Sequence, residues 1–389
     1  MKFKRIFLMI IDSLGVGEAE DSQKFDSKDA NTLGHVMEKT DLFVPNLAKI
    51  GLLNTINMDE NTDVDAYYTI ARPTNIGKDS LNGHYEIMGV TSNSVFKTFN
   101  DGFPNELLND IEKITGRRVI GNKIAGSSTE IINELGELEK NYGSLIVYTS
   151  ADSDIQIAAH EEVIPISTLY TYCEKIRELT LKDEYKVARV IARPFTGKPG
   201  HYKLIASARK DYSIKVTERT LLNELSENKY NVIGIGKVSD IFDEASINKT
   251  IKVSDNQEAI NKLLNIMDKK FTGLCMINLD DFDSVYAHNR DVEGYQKALE
   301  ELDVEIPIIL NKLELDDLLI ITADHGNDPT YKGNYHTREN VPVIFYSNSF
   351  VKPKKLPPLS SFGSIGATIA DNFELEKTEL GISVLDELE

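Results

Sequence analysis

Three apolar segments of this 389-residue chain each run directly into an acidic residue, and this pattern constrains the fold more than any other feature. The segments are Lys4–Ile11, Gly273–Leu279 and Leu318–Ala323, followed by Asp12, by the acidic cluster 280–283 and by Asp324. Short apolar runs of this kind are typical of buried strands in a mostly parallel sheet, which holds its ligands at the carboxyl ends of the strands. We therefore expect the three strand ends to form one site.

Apolar runs alternate with charge-rich helical stretches along the whole chain, which predicts an α/β fold with a mostly parallel central sheet flanked by helices. The predicted strands are Ile6–Ile11, Leu145–Tyr148, Val187–Ala192, Val232–Ile235, Leu274–Leu279, Leu318–Thr322 and Val341–Tyr346. The predicted helices are Pro45–Ile50, Ser127–Tyr142, Ile166–Leu179, Thr220–Glu227, Asn256–Lys269 and Gly294–Leu313.

The acidic strand ends lie near both ends of the chain, whereas the middle contributes none of them. We therefore predict a catalytic core made of residues 1–96 and 216–389. Residues 97–215 have strands and helices of their own and are predicted to form an inserted α/β cap domain that covers the site.

The net charge of −19 argues against a nucleic-acid or anionic-membrane partner, because such surfaces attract Lys and Arg. A phosphorylated substrate would need local help from metal ions or arginines. The two cysteines, Cys173 and Cys275, do not suggest a disulfide framework. The first apolar run is too short for a signal peptide, and no run is long enough to span a membrane, so we expect a cytoplasmic protein.

Histidines accompany the acidic strand ends. His288 follows the 280–283 cluster, His325 comes directly after Asp324, and His336 lies eleven residues further on. Carboxylate oxygens and imidazole nitrogens without thiolates suit Mn, Zn or Mg. The predicted metal ligands are Asp12, Asp283, His288, Asp324, His325 and His336.

Ser80 is the candidate nucleophile, since it lies in the polar, glycine-flanked segment 77–85. A serine hydroxyl is a poor nucleophile at neutral pH, but a neighbouring divalent metal would lower its pKa. The alternative is that this serine only stabilises a turn. Two glycine-rich segments, 15–20 and 234–237, lack the complete dinucleotide and phosphate-loop patterns, and we interpret them as tight turns.

The ordered set of motifs resembles the alkaline phosphatase superfamily and, within it, the phosphopentomutase family, over nearly the full length. The motifs are Asp12, Gly77–His84, Asp283 with His288, Asp324–Asp328, His336–Arg338, Gly121–Lys123, Tyr148–Ser153, Ala159–Glu162 and Arg189–Phe195. The resemblance implies an alkaline-phosphatase-like core with an inserted cap.

The resemblance also implies a site and a reaction. Asp12, Asp324 and His325 would hold one Mn²⁺, and Asp283, His288 and His336 a second. Ser80 would be the phosphorylated residue in the interconversion of ribose (or 2-deoxyribose) 1-phosphate and 5-phosphate through a sugar bisphosphate. Glucose 1,6-bisphosphate or ribose 1,5-bisphosphate would serve as activator.

Polar residues of the middle region are candidates for binding the small sugar phosphate. Arg193 and Arg209 could bind the non-reacting phosphate as planar bidentate donors. Ser150 and Asp152, at the end of a predicted strand, could contact sugar hydroxyls. Each could equally be a structural residue, and the sequence leaves the oligomeric state open.

The chain departs from the family pattern at several positions. Ser80 stands where Thr is usual, and Asn31, Tyr85 and Lys210 also differ from the expected residues. Asp154 replaces an aliphatic residue near the sugar, where a carboxylate would add an acceptor and repel phosphate. The alternatives are therefore a mutase for a different sugar phosphate, a metal-dependent phosphatase of the same superfamily, and a catalytically silent metal-binding scaffold.

Overall fold

The computed structural model of the chain describes residues 1–58, 63–92, 96–99, 101–125, 127–150, 153–214, 218–242, 246–333, 335–376 and 378–389. The chain divides into two compact units. The first unit comprises residues 1–94 and 216–389, and the second comprises residues 95–215.

The strands of the described part are β1 (Arg5–Ile11), β2 (Tyr67–Ala71), β3 (Val119–Ile124), β4 (Leu145–Thr149), β5 (Asp154–His160), β6 (Arg189–Lys198), β7 (His201–Leu204), β8 (Lys210–Ser213), β9 (Asn231–Ile235), β10 (Lys249–Ile251), β11 (Gly273–Leu279), β12 (Asp317–Thr322) and β13 (Val341–Tyr346).

The α-helices are α1 (Thr32–Lys39), α2 (Pro45–Lys49), α3 (Ser80–Ile87), α4 (Asn105–Thr115), α5 (Ser128–Tyr142), α6 (Ile166–Leu179), α7 (Leu221–Glu227), α8 (Val238–Ile241), α9 (Asn256–Met267), α10 (Val292–Lys312) and α11 (Gly363–Asn372). A π-helical turn covers Phe282–Ala287. None of the helices in the described ranges combines the length and apolar character that a bilayer crossing requires.

The first unit is built on a seven-stranded sheet in the order β10-β9-β11-β1-β12-β13-β2. The first five strands in this order, β10, β9, β11, β1 and β12, are parallel to one another. At the other edge β13 pairs antiparallel with β12, and β2 pairs antiparallel with β13. Every residue of β1, β11 and β12 is buried, because helices cover both faces of the sheet. The predicted mostly parallel α/β core is confirmed.

The second unit has a separate sheet in the order β3-β4-β5-β6-β7, with β8 pairing along β6. Alternate residues of β4 enter two different cores. Leu145 and Val147 pack with apolar residues of α4 and α6, whereas Ile146 and Tyr148 pack with Ile131 of α5 and its neighbours. This alternation follows from the two-residue repeat of a strand covered by helices on both faces.

The structure contains all seven predicted strands and all six predicted helices, with small shifts at their ends. The largest shift is in β6, which begins at Arg189 instead of Val187 and continues to Lys198. Ser80, for which a turn is the alternative interpretation from sequence, is the first residue of α3.

Candidate active site

Three neighbouring central strands of the first unit bring the predicted acidic residues together. In the sheet order, β1 lies between β11 and β12, and the three strands run in the same direction in matched register. Asp12 directly follows β1, Asp283 lies in the π-helical turn after β11, and Asp324 follows β12. All three carboxylates are buried. The three strand ends therefore meet at one edge of the sheet, as the sequence pattern predicts.

Ser80 lies at the amino terminus of α3, where its hydroxyl faces the same edge of the sheet. The Asp79 side chain caps this helix by accepting a hydrogen bond of 3.1 Å from the Asn82 N–H group. The Ser80 hydroxyl lies 3.1 Å from Nε2 of His325 and 2.9 Å from Nζ of Lys237. The serine side chain is nearly buried, with only 8% of the residue exposed.

One group of metal-type donors surrounds His325. Its Nε2 atom lies 3.4 Å from Oδ1 of Asp12 and 3.6 Å from Oδ2 of Asp324. The donor atoms of Asp12, Asp283 and His325 all lie within 4.8 Å of one another. Within the described residues, Oδ1 of Asp12 is buried without a hydrogen-bond partner. Buried carboxylate oxygens without donors are costly unless a cation neutralises them.

A second group consists of Asp283, His288 and His336, whose donor atoms also lie within 4.8 Å of one another. Oδ2 of Asp283 lies 3.1 Å from Nε2 of His288 and 3.4 Å from Nε2 of His336. The two histidine Nε2 atoms are 3.1 Å apart. Two imidazole nitrogens and a carboxylate oxygen that converge in this way fit a divalent metal ion.

Electrostatic interactions in the site are strong because its charged groups are buried together. Burial raises the pKa of Asp12, and the neighbouring charge of Asp324 raises it further. Burial lowers the pKa of Lys237, but Asp12 and the other nearby carboxylates outweigh this effect and raise the pKa above its usual value. Lys237 is therefore a cation, paired directly with Oδ2 of Asp12.

The pKa of Asp283 is shifted in the opposite direction from that of Asp12. Burial alone would raise the pKa of Asp283, but His288 and His336 hold the pKa well below its usual value. Asn327 supports the same carboxylate by donating from Nδ2 to Oδ1 over 2.8 Å. Asp283 is thus an anion held between the two histidines, and its second oxygen is fixed by an amide.

The loop that precedes α3 is held by two buried side chains of opposite charge. Arg338 donates hydrogen bonds to the carbonyl oxygens of Pro73, Asn75 and Gly77. Glu86 accepts hydrogen bonds from the N–H groups of Thr74 and Asn75. Because Glu86 also lies on α3, these bonds tie the loop to the helix that carries Ser80.

Helix α3 also packs against the backbone at the end of β12. A Cβ atom on Gly83 would lie 1.8 Å from the carbonyl oxygen of Asp324, so a side chain has no room at this position. On the next residue, Nδ1 of His84 lies 2.8 Å from the Ser80 carbonyl oxygen and 3.1 Å from Oδ2 of Asp324. Both contacts fix the distance between the serine and the strand end.

The predicted substrate-binding residues lie in the second unit, except that Asp152 falls outside the described residues. Ser150 and Asp154 contact each other, with the Ser150 hydroxyl donating to Oδ2 of Asp154 over 2.7 Å. Arg193 bonds through Nε to Oε1 of Gln156 over 2.9 Å. Arg209 forms a bidentate pair with Asp211, with both distances 2.8 Å.

Sequence reasoning missed Lys237, Asn278 and Gln156. Lys237 stands in the segment that we interpreted only as a tight turn after a strand. The turn is present, since Gly236 has a φ of 80°, and it also places the Lys237 side chain in contact with the Ser80 hydroxyl. Asn278, whose Nδ2 donates to Oδ2 of Asp12 over 2.8 Å, lies within an apolar strand that nonetheless ends at the acidic cluster. A polar residue within an otherwise apolar strand was the signal that could have identified Asn278.

Comparison with known proteins identifies the family. Residues 4–377 match the metalloenzyme superfamily. The fold is similar to that of the phosphoglycerate mutase of Leishmania mexicana, determined at low cobalt concentration, with 10% identity, a TM-score of 0.48, and coverage of 98% of this chain and 97% of the other.

Two further solved structures are similar in the same way. A protein from Pyrococcus horikoshii has 12% identity and a TM-score of 0.46, with 91% of each chain covered. A member of the alkaline phosphatase superfamily from Vibrio parahaemolyticus has 10% identity and a TM-score of 0.43, with 97% of this chain and 68% of the other covered. Since the superfamily match covers nearly the whole sequence, the chain belongs to the metalloenzyme superfamily.

Proposed function

We propose that this metalloenzyme is a phosphomutase that interconverts ribose (or 2-deoxyribose) 1-phosphate and 5-phosphate through a phosphorylated Ser80. The observation that carries the proposal is the position of the Ser80 hydroxyl. It lies 3.1 Å from Nε2 of His325 and 2.9 Å from Nζ of Lys237, beside two groups of metal-type donors. A hydroxyl between cationic and metal-binding groups is suited to attack on phosphorus.

The donor groups fit two divalent cations, with Mn²⁺ as the proposed ion. Oδ1 of Asp12 has no hydrogen-bond partner within the described residues, and Nε2 of His288 faces Nε2 of His336. Asp12, Asp324 and His325 would hold one ion and Asp283, His288 and His336 the other, with the Asp283 carboxylate within reach of both groups. When bound, such ions supply Lewis-acid charge to phosphoryl oxygens.

The side chains of the protein have separate tasks in this reaction. Lys237 donates to the Ser80 hydroxyl and places a fixed positive charge where negative charge develops during transfer. Asp12 holds that lysine in position. The N–H groups at the start of α3 favour an anion beside Ser80, as helix amino termini generally do.

The proposed cycle has two half-reactions. In the first, phosphorylated Ser80 transfers its phosphoryl group to the free hydroxyl of the sugar monophosphate, the hydroxyl proton passes to the Ser80 oxygen, and a sugar bisphosphate results. The sugar then reorients. In the second half-reaction the Ser80 oxygen takes the other phosphoryl group while the bond between phosphorus and the sugar oxygen breaks, which restores phosphorylated Ser80. Glucose 1,6-bisphosphate or ribose 1,5-bisphosphate would supply the first phosphoryl group. Water must be kept away from phosphorylated Ser80, because hydrolysis would convert a mutase into a phosphatase.

The second unit would act as the cap and supply contacts to the substrate. Arg193 and Arg209 are proposed to bind the non-reacting phosphate, and Ser150 and Asp152 to contact sugar hydroxyls. The proposal is supported by the charge of Arg193, whose guanidinium has no carboxylate within ion-pair distance in the described residues. An arginine of this kind is suited to a phosphate oxygen.

A coupled assay tests the proposed function. The protein is supplied with Mn²⁺, a catalytic amount of glucose 1,6-bisphosphate and ribose 5-phosphate, and both ribose 1-phosphate and free phosphate are followed. We expect isomerisation without phosphate release. Ser80→Ala should lower the rate by a factor of roughly 10⁴ without unfolding the protein. The exposed Ser360→Ala is the matched control and should keep the wild-type rate.

The alternatives give different results in the same assay. Free phosphate without isomerisation would indicate a phosphatase. Absence of both reactions with ribose 5-phosphate, but isomerisation of another sugar phosphate, would indicate a mutase of different specificity. Full activity of Ser80→Ala in any of these reactions would exclude Ser80 as the phosphorylated residue.

A further inference from the structure

A row of hydrogen-bonded polar side chains crosses the sheet of the second unit. Asp154 and Gln156 stand two residues apart on β5 and therefore project from the same face. Ser150 follows the neighbouring strand β4, and Arg193 lies on β6 at the other side of β5. Nε2 of Gln156 donates to Oδ2 of Asp154 over 3.0 Å, and Oε1 of Gln156 accepts from Nε of Arg193 over 2.9 Å.

Three donors among the described residues hold the carboxylate of Asp154. Oδ1 accepts from the N–H group of Ser150 over 2.9 Å, whereas the Thr149 hydroxyl, 3.3 Å away, has a closer acceptor in the Asp154 carbonyl oxygen at 3.0 Å. Oδ2 accepts from the Ser150 hydroxyl over 2.7 Å and from Gln156. These three donors fill most of the roughly four acceptor positions of a carboxylate. Because only 2% of Asp154 is exposed, burial closes the remaining position to a sugar hydroxyl.

Gln156 is occupied in the same way. Its Oε1 atom accepts a second bond from the Ser128 hydroxyl over 3.3 Å, and its amide nitrogen points at Asp154. The negative Asp154 therefore fixes which end of the amide faces Arg193. With the carbonyl end toward β6, the amide can only accept a bond from the arginine, and this bond sets the plane of the guanidinium group.

Arg193, at one end of the row, keeps donor groups that can bind a ligand. The bond to Gln156 uses Nε, and Nη1 and Nη2 have no hydrogen-bond partner within the described residues. Arg209 differs, because Nε and Nη2 are both bonded to Asp211. Burial lowers the pKa of Arg193 and the charge of Arg209 lowers it further, yet a guanidinium remains charged at neutral pH.

We propose that Asp154 and Gln156 are positioning residues that orient the Arg193 guanidinium toward the non-reacting phosphate ester of the substrate, and that Asp154 does not contact the sugar. This inference rests on the proposed function. A free arginine side chain has several rotatable bonds, and fixing it before the substrate arrives reduces the entropic cost of binding. Asp154 therefore aids phosphate binding instead of repelling the phosphate.

Binding of ribose 5-phosphate to the chelator-treated full-length protein tests the inference, because no turnover occurs without metal ions. The variants are Asp154→Asn, Gln156→Glu, Arg193→Met and the double variant Asp154→Asn/Arg193→Met. The exposed Asp183→Asn in the same unit is the control. Circular dichroism melting is measured for each variant, and calorimetry gives the dissociation constants for ribose 5-phosphate and for ribose.

We expect Arg193→Met to weaken ribose 5-phosphate binding by a factor of about 30, and Asp154→Asn by a factor of about 5. Gln156→Glu should weaken binding as well, because a carboxylate beside Arg193 neutralises its charge. In the Arg193→Met background, Asp154→Asn should have no further effect, since a positioning residue acts only through the residue it positions. Binding of unphosphorylated ribose should not change in any variant.

Three results would overturn the inference. The first is an equal effect of Asp154→Asn with and without Arg193, which would mean direct contact with the sugar. The second is an unchanged dissociation constant in Asp154→Asn or Gln156→Glu variants that melt like the wild type. The third is failure of the wild type to bind ribose 5-phosphate. If the variants bind ribose 5-phosphate as predicted but the coupled assay shows no isomerisation, the mutase reaction is refuted. The positioning role of Asp154 and Gln156 would then still stand.

Discussion

The hydroxyl oxygen of Ser80 lies 2.9 Å from Nζ of Lys237, although the two residues are 157 positions apart in the chain. The contact forms because Lys237 follows β9 and Gly236, while Ser80 begins α3. Lys237 also pairs with Asp12, so one lysine connects the candidate nucleophile with the metal-type donors. This arrangement supports phosphoryl transfer from the site.

Substitution of Lys237 tests whether its charge acts in the reaction. We expect Lys237→Met to lower kcat by a factor of about 100 to 1,000, the usual effect of removing a preorganised electrostatic donor. The amount of bound metal should not fall, because Asp12 loses a competing cation. Steady-state kinetics and metal analysis give both quantities. Lys249→Met, at an exposed position of β10, is the control, and equal activity of the two variants would contradict this role.

Asp283 belongs to both groups of metal-type donors, whereas His336 belongs to one. Asp283→Asn should therefore reduce the bound metal by more than His336→Ala, which should leave one of the two sites occupied. Metal analysis after dialysis measures the stoichiometry, with the exposed Glu293→Gln as a control. In the wild type, added Mn²⁺ should raise Tm, because the ion binds only the folded protein. Equal metal content in both variants would refute the shared role of Asp283.

The close approach of Gly83 to Asp324 predicts an unusual effect of alanine. Alanine normally stabilises a helix by about 1 kcal/mol relative to glycine. Gly83→Ala should instead destabilise the protein and lower kcat at least about tenfold, since the new Cβ would displace α3 or the carbonyl of Asp324. Gly116→Ala is the control for activity, because its Cβ meets open space; its φ of 65° strains alanine, so this variant should lose some stability but keep the wild-type kcat. Denaturation and kinetics distinguish the two, and a stabilised, fully active Gly83→Ala would contradict the packing described.

Glu139 in α5 predicts a pH dependence of stability in the second unit. Burial raises the pKa of its carboxyl to about 7, and only the His160 N–H group at 3.3 Å donates to it among the described residues. The folded state therefore holds the proton more tightly than the unfolded state. Stability is greatest below the usual pKa of 4.5 and falls as the pH rises toward 7.

Glu139→Gln removes the ionisation and should remove this loss of stability. We expect the variant to match the wild type near pH 5 and to exceed it by roughly 2 kcal/mol near pH 8. Urea denaturation at both pH values measures the difference. Glu137→Gln, exposed on the same helix, should show no such dependence. A stability difference that is the same at both pH values would contradict the buried, protonated carboxyl.

The metal-type residues were predictable from the sequence because local patterns located them. Asp12 and Asp324 each end an apolar run, and the carboxyl ends of parallel strands meet at one edge of a sheet. His325 is adjacent to Asp324, so the same argument placed it. To predict where these residues lie, it is enough to know which segments are strands, and the order of the strands in the sheet is not needed.

Lys237 was not predictable in this way, because its contact depends on sheet order. β9 lies beside β11, which lies beside β1, and this order brings the turn after β9 next to Asp12. Neither strand order nor the start of α3 at Ser80 follows from local patterns. A polar, glycine-containing segment such as 77–85 favours a loop, and tertiary packing on Asp324 overrides that preference.

Asp154 shows the same limit in the second unit. The sequence predicted a carboxylate near the substrate, but strand β5 was not predicted. Without β5, the pairing of Asp154 with Gln156 and the proximity of Ser150 could not be inferred. The available acceptor positions of a carboxylate depend on its neighbours in space, and three donors among the described residues surround this one.

Phosphorylation of Ser80 is the central claim, and peptide mass spectrometry tests it most directly. The wild type is incubated with Mn²⁺ and glucose 1,6-bisphosphate, digested and analysed, and a second sample receives ribose 5-phosphate before digestion. We predict one phosphoryl group on the peptide that contains Ser80, and its loss to the sugar without release of free phosphate. Absence of phosphate from Ser80, or its appearance on another residue in a Ser80→Ala protein that still isomerises ribose 5-phosphate, would contradict the account.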